Sequence, residues 1–180
     1  MNEEEGRNLK RADANPKPFL EVLQQALGSI TEKRSFQDER SFQGALLQEL
    51  ARRLQRGVRQ DDPIIEEEYQ KRIRGHGIRI RPDIIIHVPF DRGGMERRDQ
   101  GNFIAIELKR RASPKTAAKA FANLEQMRIR LNYPLTIFIN VDSEKTCHEL
   151  CPESIAGQTA CLGVELKDGR TIVHVSESGR

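Results

Sequence analysis

Hydrophobic and polar residues alternate along the chain with two different periods, which predict helices in some segments and strands in others. The segment PFLEVLQQALGSI (18–30) has helical periodicity and predicts a short amphipathic helix that ends near Gly28. A stronger helix is predicted for SFQGALLQELARRLQRG (41–57), which Gly57 would end. Its leucines recur at helical spacing, at Leu46, Leu47, Leu50 and Leu54.

Three apolar stretches then predict consecutive strands. Residues 64–73 (IIEEEYQKRI) indicate an edge or half-exposed strand, residues 78–89 (IRIRPDIIIHVP) a buried strand, and residues 102–110 (NFIAIELKR) a third. A polar, glycine-containing stretch at 90–101 separates the last two, so we expect antiparallel neighbours joined by a long loop.

The rest of the chain predicts a helix, a strand and a hairpin. Ser113 and Pro114 form a helix start, and the helix should run to about Asn132 with an apolar stripe of Ala117, Ala120, Leu124, Met127 and Leu131. LTIFINV (135–141) predicts a strand, and residues 161–175 a C-terminal hairpin that turns at Asp168 and Gly169. The order predicts an α/β fold with a mixed central β-sheet flanked by helices.

Length and composition narrow the class of protein. A chain of 180 residues suits one domain, which we place at 16–180, after a polar and aperiodic segment at 1–15 predicted to be a disordered tail. No stretch approaches the ~20 apolar residues of a membrane span, and the acidic start is unlike a secretory signal, so we expect a cytoplasmic protein. The three cysteines are too sparse for a disulfide framework.

Candidate chemistry lies on the second and third predicted strands. Side chains alternate faces along a strand, so Glu107 and Lys109 point to the same side. If the two strands pair, Asp83 approaches Glu107. Two carboxylates in a part-buried cleft repel each other unless a cation lies between them. Magnesium suits such a site because it needs only one or two protein carboxylates, and Lys109 would orient or deprotonate a water for phosphodiester hydrolysis.

These residues resemble the PD-(D/E)xK nucleases, the restriction-endonuclease-like superfamily, through RPDIII (81–86) and IELKR (106–110). The resemblance covers residues 41–141, because the family core is a helix, three strands, a helix and a fourth strand. It implies Mg²⁺, for which Mn²⁺ substitutes, held by Asp83, Glu107 and the carbonyl of Leu108, with Lys109 assisting the water. It also implies a metal-site glutamate from the first helix, for which Glu49 is the best-positioned match.

The helix after the third strand is predicted to contact nucleic acid. Some nucleases of the superfamily have a glutamine and a nearby tyrosine on this helix, and Gln126 and Tyr133 are similar, although more widely spaced. The helix is locally basic, and residues on its outer face could follow phosphates beside the metal: Lys115, Lys119, Gln126 and Arg130. We therefore expect a DNA substrate, and cutting both strands of a duplex is compatible with a homodimer.

Other interpretations stay open at this point. Asp83 and Glu107 could simply form salt bridges with Arg81 and Lys109 at the strand ends. The same fold could serve as a non-catalytic nucleic-acid-binding or assembly module, or the same site could cut RNA or branched DNA. The chain has no ATPase motif, so no nucleotide cofactor is expected.

Overall fold

Six strands form one sheet whose spatial order follows the chain. The computed structural model describes residues 16–54, 63–67, 80–89 and 96–176. Its strands are β1 Ile64–Glu67, β2 Ile84–His87, β3 Asn102–Arg110, β4 Leu135–Val141, β5 Thr159–Lys167 and β6 Arg170–Val175. Strands β3, β4 and β5 are parallel, whereas β1, β2 and β6 each pair in antiparallel fashion with their neighbours. The predicted mixed sheet is confirmed.

Helices cover both faces of this sheet. They are α1 Pro16–Gly28, α2 Glu39–Arg53, α3 Pro114–Leu131 and the single turn α4 Glu153–Ala156. Helices α1 and α2 pack on the face that carries Ile84, Ile104 and Ile106. Helix α3 packs on the opposite face with Ile85 and Ala105. The strand alternation predicted from the sequence is confirmed for Ile84, Ile85 and residues 104–106. It is wrong for Phe103, which alternation would set with Ala105 but which packs in the same cluster as Ile104, near a register shift between Ile86 and His87. The apolar stripe of α3 is confirmed, because its five predicted members are all buried.

Side-chain caps fix where the two longer helices begin. The hydroxyl of Ser113 accepts a hydrogen bond of 3.2 Å from the backbone N–H of Thr116, and Pro114 occupies the first turn of α3. The carboxylate of Asp38 accepts a bond of 2.8 Å from the N–H of Ser41, which starts α2 two residues earlier than the periodicity indicated. This earlier start brings Glu39 into the helix.

The remaining element bounds match the sequence to different degrees. Strand β3 has the predicted bounds, and the hairpin turns at Asp168 and Gly169, both of which have positive φ. Strand β2 is shorter than predicted, with Ile80 forming only an isolated bridge. The predicted stop at Gly57, the end of the first predicted strand and the tail at 1–15 lie outside the described residues. Of the helices that the structure describes, none combines the length and apolarity needed to cross a membrane.

Candidate active site

The pairing of β2 with β3 ends at Ile84, which lies opposite Ile106. Continued by two residues, this register sets Pro82 opposite Leu108, but proline has no N–H to donate to the ladder. The carboxylate of Asp83 replaces a backbone acceptor of the ladder, because its Oδ2 accepts a hydrogen bond of 2.7 Å from the N–H of Leu108. In an antiparallel ladder the N–H and C=O of one residue point to the same side, so the Leu108 carbonyl also points toward Asp83.

Lys109 occupies the space next to that carbonyl. Its Nζ donates to the Leu108 carbonyl and to Oε1 of Glu39 at 2.8 Å, and lies 3.9 Å from Oδ2 of Asp83. Burial on its own lowers the pKa of Lys109, but the hydrogen bond with Glu39 and the charges of Asp83 and Glu107 raise it above its ordinary value. Lys109 is therefore an ammonium at neutral pH in this arrangement, which suits orientation and charge stabilisation rather than proton abstraction.

Glu107 is the most unusual group of the site, because it is a carboxyl with only 3% of its surface exposed. Its Oε1 accepts a weak hydrogen bond of 3.4 Å from Nδ2 of Asn123, a half-buried residue of α3. Burial, and next the negative charge of Asp83, raise the pKa of Glu107 to about 8. Both effects favour the neutral carboxyl over the carboxylate. A cation would offset both causes of this shift.

Glu39 is a site residue that the periodicity of the sequence did not indicate. It lies in the first turn of α2, where Oε1 bonds Lys109 and Oε2 accepts a bond of 3.3 Å from the N–H of Arg110. The signal that could have revealed it is the capping residue Asp38 directly before it. Glu39 thus adds a third carboxylate at the edge of the cluster, half-exposed to solvent.

Glu49, the glutamate predicted for this role, is not brought to the cluster. It lies ten residues further along α2, a rise of about 15 Å. Its two carboxylate oxygens pair instead with Arg52 at 2.6 Å and Arg53 at 2.5 Å. The structure therefore does not bring Glu49 together with Asp83 and Glu107, because it is the first turn of α2 that meets the end of β3.

Gln43 is a second residue that sequence reasoning missed. It is buried one helical turn after Glu39, and its Nε2 donates a hydrogen bond of 2.8 Å to the backbone carbonyl of Asp83. Helix α2 thus holds Lys109 through Glu39 and the bend at Asp83 through Gln43. Two side chains at helical i, i+4 spacing, Glu39 and Gln43, therefore position Lys109 and Asp83. No local sequence motif indicates this relationship.

The outer face of α3 borders the site. Lys115, Lys119 and Arg130 are exposed and Gln126 is half-buried. Helical spacing aligns Asn123 with these side chains, and Asn123 is the residue that bonds Glu107. The face is therefore continuous with the carboxylate cluster. Tyr133 does not accompany Gln126 on this face, because its side chain is buried beneath the helix.

The donor set of this site suits a hard divalent cation. In residues 16–54, 63–67, 80–89 and 96–176, no three His, Cys, Asp or Glu side chains form a ready-made metal cage. Magnesium does not require one, because it keeps several waters and takes one or two carboxylates, often with a substrate phosphate. Asp83, Glu107 and the Leu108 carbonyl supply oxygen donors, which fit such an ion. The three cysteines are free thiols, two of them buried.

Comparisons of the chain with protein-family models, with curated proteins and with solved structures found no match.

Proposed function

We propose that this protein is a metal-dependent endonuclease that hydrolyses phosphodiester bonds in DNA with a PD-(D/E)xK site. The observation that carries the proposal is the buried carboxyl of Glu107 beside Asp83. At this point Pro82 ends the ladder between β2 and β3, the Leu108 N–H bonds Asp83, and Lys109 donates to the Leu108 carbonyl. The order helix, three strands, helix, strand from α2 to β4 supports the resemblance to the restriction-endonuclease-like core.

Asp83, Glu107 and the Leu108 carbonyl are the groups that would hold Mg²⁺. When bound, the ion lowers the pKa of a coordinated water and stabilises negative charge on the phosphoryl oxygens. Lys109 donates to the Leu108 carbonyl, so its ammonium and a cation would compete for the same oxygen. Displaced from that oxygen, Lys109 remains beside Asp83, where its N–H groups can orient the attacking water or stabilise the developing charge.

Glu39 acts on this chemistry through Lys109. Its hydrogen bond of 2.8 Å keeps the lysine charged and directs its Nζ toward the strand end. Because Glu39 also accepts a bond from the N–H of Arg110, its own carboxylate is held at two points. Glu39 is thus a positioning residue for Lys109 and a carboxylate close enough to contribute to cation binding through water.

DNA would lie along the outer face of α3. From Lys115 to Arg130 the helix rises about 22 Å, enough to follow several phosphates of one strand. Phosphate contacts from lysine and arginine position a duplex without reading its sequence. The continuity of this face with Glu107 through Asn123 would set a bound phosphate next to the carboxylates.

A plasmid-nicking assay tests the proposal. Supercoiled DNA is incubated with the protein in Mg²⁺ or in EDTA, and the same assay is run with Lys109→Met, Glu107→Gln and the control Glu49→Gln. We expect Mg²⁺-dependent nicking that Lys109→Met and Glu107→Gln reduce at least about 100-fold, within the range of catalytic electrostatic effects. Glu49→Gln should retain it, because among the described residues Glu49 pairs with Arg52 and Arg53 of its own helix and not with the carboxylate cluster.

The outcome of this assay separates the competing functions. DNA binding without any cleavage would favour a non-catalytic module. Cleavage confined to RNA or to branched DNA, measured on a matched substrate panel, would keep the site and change the substrate class. Nicking that persists in EDTA or in Lys109→Met would reject the proposed mechanism.

A further inference from the structure

Strand β6 forms one edge of the sheet, and in the part of the chain that the structure describes it pairs only with β5. Two of the exposed large hydrophobic side chains belong to it: Ile172 is 39% exposed and Val175 is 43% exposed. Natural proteins protect such edges with lysine, proline or a bulge. Strand β6 has neither lysine nor proline, and its register with β5 is continuous over its whole length.

The register fixes which backbone groups face outward. The two-residue turn closes on Lys167 and Arg170, and the N–H of Ser176 donates to the carbonyl of Cys161 at 3.1 Å. The even-numbered residues of β6 (Arg170, Ile172 and His174) therefore direct their N–H and C=O groups toward β5. The outward donors and acceptors belong to Thr171, Val173 and Val175.

We propose that the chain forms a symmetric homodimer in which β6 pairs in antiparallel fashion with β6 of a second copy, centred on Val173. This register sets Val173 opposite itself and Thr171 opposite Val175, so the outward-facing residues satisfy one another's backbone groups. The strand is rich in β-branched residues, which favour cross-strand packing.

Charge also favours self-pairing in this register. Arg170, at one end of the strand, would lie opposite Ser176 and not opposite another cation. His174 would lie opposite Ile172, and its ring is already bonded to Glu165 at 3.1 Å. No like charges oppose each other across the axis, whereas opposed like charges would destabilise a strand pair.

One face of the joined strands is already supported. Val173 packs against the core on the side of α1, and the hydroxyl of Thr171 donates to the carbonyl of Ile30, which follows that helix. The opposite face presents Ile172, which the second copy would cover in part. Because a single strand pair buries a small area, the dimer should be reversible and dependent on concentration.

Sedimentation of the full chain over a concentration series tests the proposal. The mass should rise from 20.6 kDa toward twice that value. Val173→Glu and Val173→Lys each set like charges opposite each other and should remain monomeric at every concentration. An equimolar mixture of the two variants should recover the dimer, and Val173→Thr should keep it. A wild-type chain that is monomeric at all concentrations, or a folded Val173→Glu variant that still dimerises, would overturn the proposal.

Hydrogen exchange on the wild-type chain gives a readout that does not depend on any variant folding. Amides of Ile172 and His174, which bond β5, should be protected at all protein concentrations. Amides of Thr171, Val173 and Val175 should become protected only as concentration rises. Protection of these three amides that does not change with concentration would contradict dimerisation through β6. This test is independent of nuclease activity.

Discussion

The carboxylate of Asp83 accepts a hydrogen bond of 2.7 Å from the backbone N–H of Leu108, at the position where β2 would otherwise continue its ladder with β3. Proline at position 82 prevents that continuation, because it has no N–H to offer the Leu108 carbonyl. The proline and the aspartate thus act together: one keeps a carbonyl available, and the other fixes a carboxylate beside it.

Restoring the missing donor should weaken cation binding. Pro82→Ala supplies an N–H that can bond the Leu108 carbonyl in competition with a cation. Stability should change by no more than about 1 kcal/mol, because the new hydrogen bond offsets the added freedom of the unfolded chain. The rise in melting temperature with Mg²⁺ should shrink relative to wild type and to the control Pro134→Ala. An unchanged response to Mg²⁺ would show that the Leu108 carbonyl is not a ligand.

Glu107 should make the free energy of unfolding depend on pH. Its pKa is about 8 in the folded chain against an ordinary 4.5, so the folded state binds more protons between these values. Stability should therefore fall as pH rises from about 4.5 to 8 in the absence of metal, and level off above that range. Glu107→Gln should remove this slope and be more stable than wild type at pH 9. Urea unfolding at several pH values measures this pH dependence of the free energy of unfolding. Equal slopes against pH in wild type and Glu107→Gln would contradict the raised pKa of Glu107.

Loss of Gln43 should loosen the bend at Asp83. Gln43→Leu removes the donor to a part-buried carbonyl, and we expect a loss of about 1–3 kcal/mol in the free energy of unfolding. Mg²⁺ should also stabilise this variant less than wild type, since Asp83 loses the contact that fixes its backbone. Gln48→Leu is the matched control, because Gln48 is exposed on the same helix. If the two variants respond alike to denaturant and to Mg²⁺, Gln43 has no positioning role.

The outer face of α3 should account for the salt dependence of DNA binding. Lys119→Ala removes one phosphate contact and should reduce the slope of log affinity against log salt concentration by about 0.9 for duplex DNA. Lys167→Ala, on the β5–β6 hairpin, should leave the slope unchanged. Fluorescence anisotropy with a labelled duplex in EDTA measures the slopes of both variants. Equal slopes for Lys119→Ala and wild type would show that DNA binds to another surface.

Periodicity was sufficient to predict a mixed sheet and the faces of the central residues of β2 and β3. Alternation of Ile104, Ala105 and Ile106 assigned each side chain to the correct core, because a slip of one residue would move each of these side chains to the other face. The proximity of Asp83 to the end of β3 followed from the same alternation once the two strands were taken as neighbours.

The contributions of α2 could not be read in the same way. A leucine stripe indicates which face of a helix is buried, but not which end meets the sheet, so Glu49 and Glu39 could not be distinguished by periodicity. Gln43 and Asn123 act through single hydrogen bonds to residues distant in sequence. Such bonds depend on how helices pack against the sheet, which a local pattern does not specify.

A crystal soaked in Mn²⁺, with anomalous scattering used to locate the ion, tests the central claim most directly. The account predicts a peak bonded to the carboxylates of Asp83 and Glu107 and to the Leu108 carbonyl, with Nζ of Lys109 displaced from that oxygen. A site that stays free of manganese at saturating concentration, with Lys109 still bonded to Leu108 and Glu107 still bonded to Asn123, would contradict it.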